Sequence, residues 1–77
     1  MNDIDARLRR CFSLTFPDLA ASEIPSAEQS RIQGWDSVAA ITLVTLIEEE
    51  FAISVDLDKM PELTSFVAIR EYVSGAA

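Results

Sequence analysis

The chain has 77 residues, 49 % of them apolar, and a formal net charge of −7 from 13 acidic and 6 basic side chains. That is one small domain with a single modest core, too apolar for a disordered tail and too acidic to neutralise phosphates in number, which excludes nucleic acid and anionic membranes as partners. With no histidine and one cysteine, Ser–His and Cys–His nucleophile pairs, zinc sites and internal disulfides are excluded as well.

Asn2 is placed to cap a first helix. Asp3 and Asp5 fall near its positive end, and Arg7, Arg9 and Arg10 come later, as the helix dipole prefers. Ile4, Leu8, Cys11, Phe12 and Thr15 repeat at helical spacing and define one buried stripe. Cys11 therefore reads as core, not as a reactive thiol. Phe16-Pro17 ends the helix, because the residue before proline leaves the helical region. The first ten residues carry no signal-peptide pattern and no run is long enough to cross a bilayer. The expected setting is reducing and cytoplasmic.

From Pro17 to Trp35 no period is sustained. Asp18, Ser22, Pro25, Ser26, Ser30 and Gly34 are loop formers. Leu19, Ile24 and Ile32 are the expected pins to the core, with a turn of helix around Asp18–Ala21. Loops this long in small domains are usually functional or mobile.

Asp36 is a strong N-cap type, and from Ser37 to about Phe51 the pattern is helical. Ser37 thus puts a hydroxyl in the first turn, where free N–H groups and the positive dipole end favour an attached phosphate. Ala40, Leu43, Val44, Leu46, Ile47 and Phe51 cluster on the core side. Val38, Ile41 and Thr45 fall on the opposite side. Scattered surface apolars are normal, but this stripe starts beside the special serine, which favours a docking surface. Glu48-Glu49-Glu50 sit where the dipole disfavours negative charge, and serve either partner binding or a solvated face.

Ala52 to Asp56 reads as a linker in which Ile53 and Val55 alternate. Asp58 is expected to cap one short turn, limited by Pro61. Asp56, Asp58 and Glu62 lack the central glycine and the spacing of a calcium loop, so no metal site is expected. Thr64 or Ser65 caps a last helix with Phe66, Ile69 and Val73 buried, Tyr72 beside them and Gly75 at its end. These elements make an all-α domain over residues 1–77: an irregular four-helix bundle, three helices long and one short, with a long loop between helices 1 and 2. Without a large extra apolar stripe, it is expected to be a monomer.

Gly34-Trp35-Asp36-Ser37-Val38, followed at matching spacing by Leu43, Glu48-Glu49-Glu50-Phe51, Ile53 and Val55, and by Leu63-Thr64-Ser65-Phe66 opening the last helix, resembles the acyl carrier protein family, of the free-standing type. The likeness runs along essentially the whole chain and is strongest from Gly34 to Tyr72. The family's Asp-Ser-Leu signature stands here as Asp36-Ser37-Val38.

The resemblance implies a non-catalytic carrier. Ser37 would receive 4′-phosphopantetheine from coenzyme A through a separate phosphopantetheinyl transferase, and Asp36 would help position magnesium in that complex. The arm's thiol would carry acyl groups as thioesters. Val38, Ile41, Thr45, Glu48 and Glu49 would face the transferase and the acyl-loading and acyl-processing enzymes, through basic or apolar patches on those partners. Where fatty-acid carriers have acids just after the serine and in mid-helix, this chain has Ala39 and Thr42, and position 45, often Met, is Thr45. A specialised, polyketide-like or other secondary-metabolite pathway is therefore expected rather than bulk fatty-acid synthesis. Leu46, where the family often has Ala, is expected to shrink an internal cavity and favour short or polar cargo. Two alternatives stay open: an aminoacyl or peptidyl carrier, and a helical interaction module whose Ser37 is unmodified.

Overall fold

The computed structural model describes residues 3–76, and over them the protein is mostly helical. Three α-helices, α1 (Asp3–Thr15), α2 (Ser37–Phe51) and α3 (Phe66–Ala76), are joined through two short 3-10 helices at Ala21–Ser26 and Leu57–Glu62. α1 packs against both α2 and α3, and the first 3-10 helix fills the angle between α1 and α3. The cap expected of Asn2 lies outside the described residues.

The α1 stripe is where its spacing puts it. Leu8, Cys11 and Phe12 are buried, and Ile4 is packed at the edge. Phe16, just past the helix, is buried too, its N–H donating to the Phe12 carbonyl at 2.7 Å. On α2 the buried residues are Leu43, Val44 and Ile47, and on α3 they are Phe66, Ile69 and Val73. Each large side chain fully buried in this way contributes about 1.5–3 kcal/mol of transfer free energy. Cys11 is part of this core, and burial, followed by the negative charge of Glu50, pushes its thiol pKa up.

The long connection is built differently from its sequence expectation. The short helix forms at Ala21–Ser26 instead of Asp18–Ala21, with Pro25 inside it. A 3-10 turn tolerates that proline, and Glu23 stabilises its start by accepting the Ala20 N–H at 3.2 Å. Leu19, Ile24 and Ile32 all pack on the core as expected, with Ile24 fully buried, but Ala27 and Trp35 are buried as well. Backbone bonds tie the middle of the connection to the start of α3: Gln29 N–H to the Thr64 carbonyl at 2.8 Å, and Phe66 N–H to the Ala27 carbonyl at 3.0 Å.

Three further end signals differ. Asp56, not Asp58, caps the second 3-10 helix, its Oδ1 accepting the Asp58 N–H at 3.0 Å, and Pro61 lies within that helix rather than closing it. Gly75 does not end α3, which runs on to Ala76; its φ is not positive, so the conformation for which glycine is favoured is not used there. Of the two candidates for the α3 cap, Ser65 does the work: its hydroxyl accepts the Ala68 N–H at 3.1 Å.

Candidate functional site

Trp35 fixes the approach to α2. Its indole is 3 % exposed and wedges between Phe12, at a centroid distance of 5.5 Å and nearly perpendicular, and Phe16, at 5.4 Å. Phe12 in turn meets Phe66 edge-on at 5.2 Å. Such aromatic contacts add roughly 0.5–1.5 kcal/mol each beyond area burial. The chain therefore leaves the core at Trp35 and reaches the surface at Asp36 and Ser37, both exposed.

Asp36 is the N-cap of α2, in extended conformation, with Oδ1 accepting the Ala39 N–H at 2.9 Å. Its carbonyl accepts the Ala40 N–H, also at 2.9 Å. Helix geometry leaves the N–H groups of Ser37 and Val38 without intrahelical acceptors. Ser37 is the first residue of α2, so its exposed hydroxyl stands at the positive end of a 15-residue helix. The chain has no histidine to pair with that hydroxyl.

A cleft of about 290 Å³ opens beside Ser37. Ala40, Leu43 and Val44 of α2 line it together with Gln29, Trp35, Met60, Pro61, Leu63 and Ile69. It is mostly apolar and just below the range of small-molecule sites, about 300–1,000 Å³. Leu46 is half-buried, packed against the core, and does not line this cleft.

Val38 and Ile41 are 73 % and 58 % exposed, and Thr45 is exposed beside them. The Thr42 and Thr45 hydroxyls donate to the Val38 and Ile41 carbonyls at 3.1 and 2.8 Å, which leaves this face uncharged and smooth. The three glutamates separate. Glu48 is half-buried and accepts the Val55 N–H at 2.7 Å. Glu50 bonds Arg7, whose hydrogen bond holds its carboxyl below the ordinary range. Glu49 is exposed. Ser37, Val38 and Ile41 are thus brought together at one end of α2, and the carboxylates of Glu48 and Glu50 are spent within the fold.

Sequence reasoning named Trp35 within the motif but gave it no role, and it passed over Gln29, whose Nε2 lies 3.4 Å from the Trp35 carbonyl. The signal available was that the chain's single tryptophan directly precedes the Asp-Ser pair. Among the described residues no group of three or more cysteine, aspartate or glutamate side chains comes together to hold a metal ion, and no helix is long and apolar enough to cross a membrane.

No family model, curated protein or solved structure matches this chain.

Proposed function

We propose that the protein is an acyl carrier whose working group is a 4′-phosphopantetheine arm on Ser37. The observation that carries this reading is an exposed hydroxyl at the first position of a capped helix, beside an apolar cleft. A phosphodiester formed there would lie against the two N–H groups that helix geometry leaves open, with the dipole's positive end facing it.

In the attachment step the Ser37 oxygen attacks the pyrophosphate of coenzyme A. The new Oγ–P bond replaces a P–O bond, the nucleotide half leaves, and the serine proton passes to a base on the transferase. The arm supplies a thiol that takes acyl groups as thioesters. Asp36 holds the helix start through Oδ1, and its carboxylate would help the transferase position magnesium. Val38, Ile41 and Thr45 are the docking face, next to the attachment point, with Glu49 at its far end. Because Val38, Ile41 and Thr45 carry no charge, the partners of that face are enzymes with apolar complementary patches, which fits a dedicated biosynthetic pathway better than bulk fatty-acid synthesis.

The test is intact-protein mass after incubation with coenzyme A and a broad-specificity phosphopantetheinyl transferase. Wild type gains one arm and Ser37→Ala gains none. A folded wild type that gains nothing favours the unmodified interaction module instead.

A further inference from the structure

A second cleft, of about 390 Å³, is lined by residues 15–19, at the end of α1, and by residues 31–34, just before the Trp35-Asp36-Ser37 step. It shares no lining residue with the cleft beside Ser37. Phe16, Leu19 and Ile32 supply apolar lining, while Asp18 and Arg31 are exposed and carry its charges. Both stretches are held by backbone bonds. Leu19 N–H donates to the Phe16 carbonyl at 3.0 Å, the Arg31 and Ile32 N–H groups donate to the Glu28 carbonyl at 3.0 and 3.1 Å, and Trp35 N–H donates to the Ile32 carbonyl at 3.0 Å. Leu14, which precedes Thr15 in the chain, leaves its side chain 66 % exposed.

Arg7, Arg9, Lys59 and Arg70 each have an ion-pair partner within the fold. Arg31 has none among the described residues, and neither has Asp18. In a chain of net charge −7, an approaching carboxylate is repelled over most of the surface. A free guanidinium at an apolar cleft is therefore where an acidic group is drawn in. We propose that this cleft docks a short segment of a partner protein, one that sets an apolar side chain into it and a neighbouring carboxylate against Arg31. The apolar side chain supplies the buried anchor that such contacts need. The guanidinium can meet a carboxylate with two parallel N–H donors. Asp18 repels a second acid, so a segment acidic on both flanks is disfavoured. Because both stretches are already bonded in place, little ordering is required on binding. The contact requires no arm on Ser37 and lies apart from the Val38, Ile41, Thr45 face. It gives a partner a second hold on the protein, on the stretch that feeds into Ser37.

The probe is a displayed library of random linear heptapeptides, selected on the whole protein and on the Arg31→Glu and Asp18→Lys variants, with folding checked by circular dichroism. Wild type is expected to enrich peptides with an apolar residue beside Asp or Glu. A synthetic peptide of the enriched sequence should shift the backbone amide signals of residues 15–19 and 31–34 in a proton–nitrogen correlation spectrum. Arg31→Glu should weaken that peptide by about tenfold or more, since attraction becomes repulsion, and Asp18→Lys should admit doubly acidic peptides. If Arg31→Glu does not fold, Arg31→Gln carries the same test with a smaller loss. No enrichment, enrichment without an acidic residue, amide shifts confined to the Val38, Ile41, Thr45 face, or an affinity indifferent to Arg31 overturns the proposal. None of these outcomes bears on arm attachment at Ser37, which intact-protein mass reads separately.

Discussion

Arg7 reaches from α1 to the last turn of α2 and places its Nε 2.7 Å from Glu50 Oε2. The same guanidinium donates to the Glu50 carbonyl and lies 4.6 Å from the centre of the Phe51 ring. One side chain thus serves an ion pair, an open C-terminal carbonyl and an aromatic face, all at the end of α2 opposite Ser37. The Arg7 hydrogen bond lowers the Glu50 pKa from its ordinary value of 4.5. A carboxyl depressed in the fold stabilises it above the unfolded value, and the contribution is lost as pH falls through the folded value. Arg7→Gln is expected to return the Glu50 titration midpoint toward 4.5, read by carbonyl NMR, and to weaken the acid-induced loss of stability seen in wild type between pH 7 and pH 3.

Cys11 offers a second chemical test. Its thiol is raised by burial first and by Glu50 second, with Arg10 and Arg7 opposing. At neutral pH it stays protonated and enclosed, so a thiol reagent should label the native protein at least about tenfold more slowly than the chain in denaturant. Equal rates would place Cys11 outside the core.

Ala52 closes α2 in the left-handed conformation, φ 54°, with its N–H and that of Ile53 both donating to the Glu48 carbonyl. A side chain with a Cβ is strained there and glycine is not. Ala52→Gly is expected to stabilise the fold by about 0.5–1 kcal/mol, raising the melting temperature by roughly 2–8 °C for a domain of this size. A fall in melting temperature would contradict the cap geometry.

At the other end of α2, cap and charge separate by substitution. Asp36→Asn keeps an oxygen for the Ala39 N–H and should leave stability nearly unchanged, whereas Asp36→Ala should lose about 0.5–2 kcal/mol. If Asp36 also serves the transferase through its charge, both variants slow arm attachment. Denaturant melts and attachment rates, measured on the same samples, separate the two roles.

Ile41 probes the outer face. Because it is exposed, Ile41→Glu should change stability by no more than about 0.5 kcal/mol while slowing arm attachment by the transferase. Unfolding of the variant would mean that the outer face is part of the core, and an unchanged attachment rate would remove Ile41 from the docking surface.

The three α-helices were legible because each obeys a single strong rule over many residues. The Leu8, Cys11, Phe12 stripe, the Asp36 cap and the Phe66, Ile69, Val73 stripe are local patterns, and the structure follows them. What was not legible depends on contacts between segments far apart in the chain. The helix at Ala21–Ser26 forms around Ile24, which is buried by α1 and α3 and not by its own neighbours in sequence. Asp56 outcompetes Asp58 as cap because the helix starts at Leu57, two residues after the buried Val55. Leu46 has the spacing of a core residue, yet it does not line the cleft, and periodicity alone does not say which part of a core a residue faces. The hydroxyl at Ser37 was readable from its cap; the cleft beside it was not, since part of its lining comes from Met60 to Ile69.

The bonds from Gln29 to Thr64 and from Phe66 to Ala27 divide the stretch between α1 and α2 into two short spans. Each span then closes at its own small entropic cost, and a fluctuation in the first is halted before it reaches the second. With Trp35 seated against Phe12 and Phe16, the segment that leads into Ser37 is anchored in the core, so the serine's place at the surface is set from beneath.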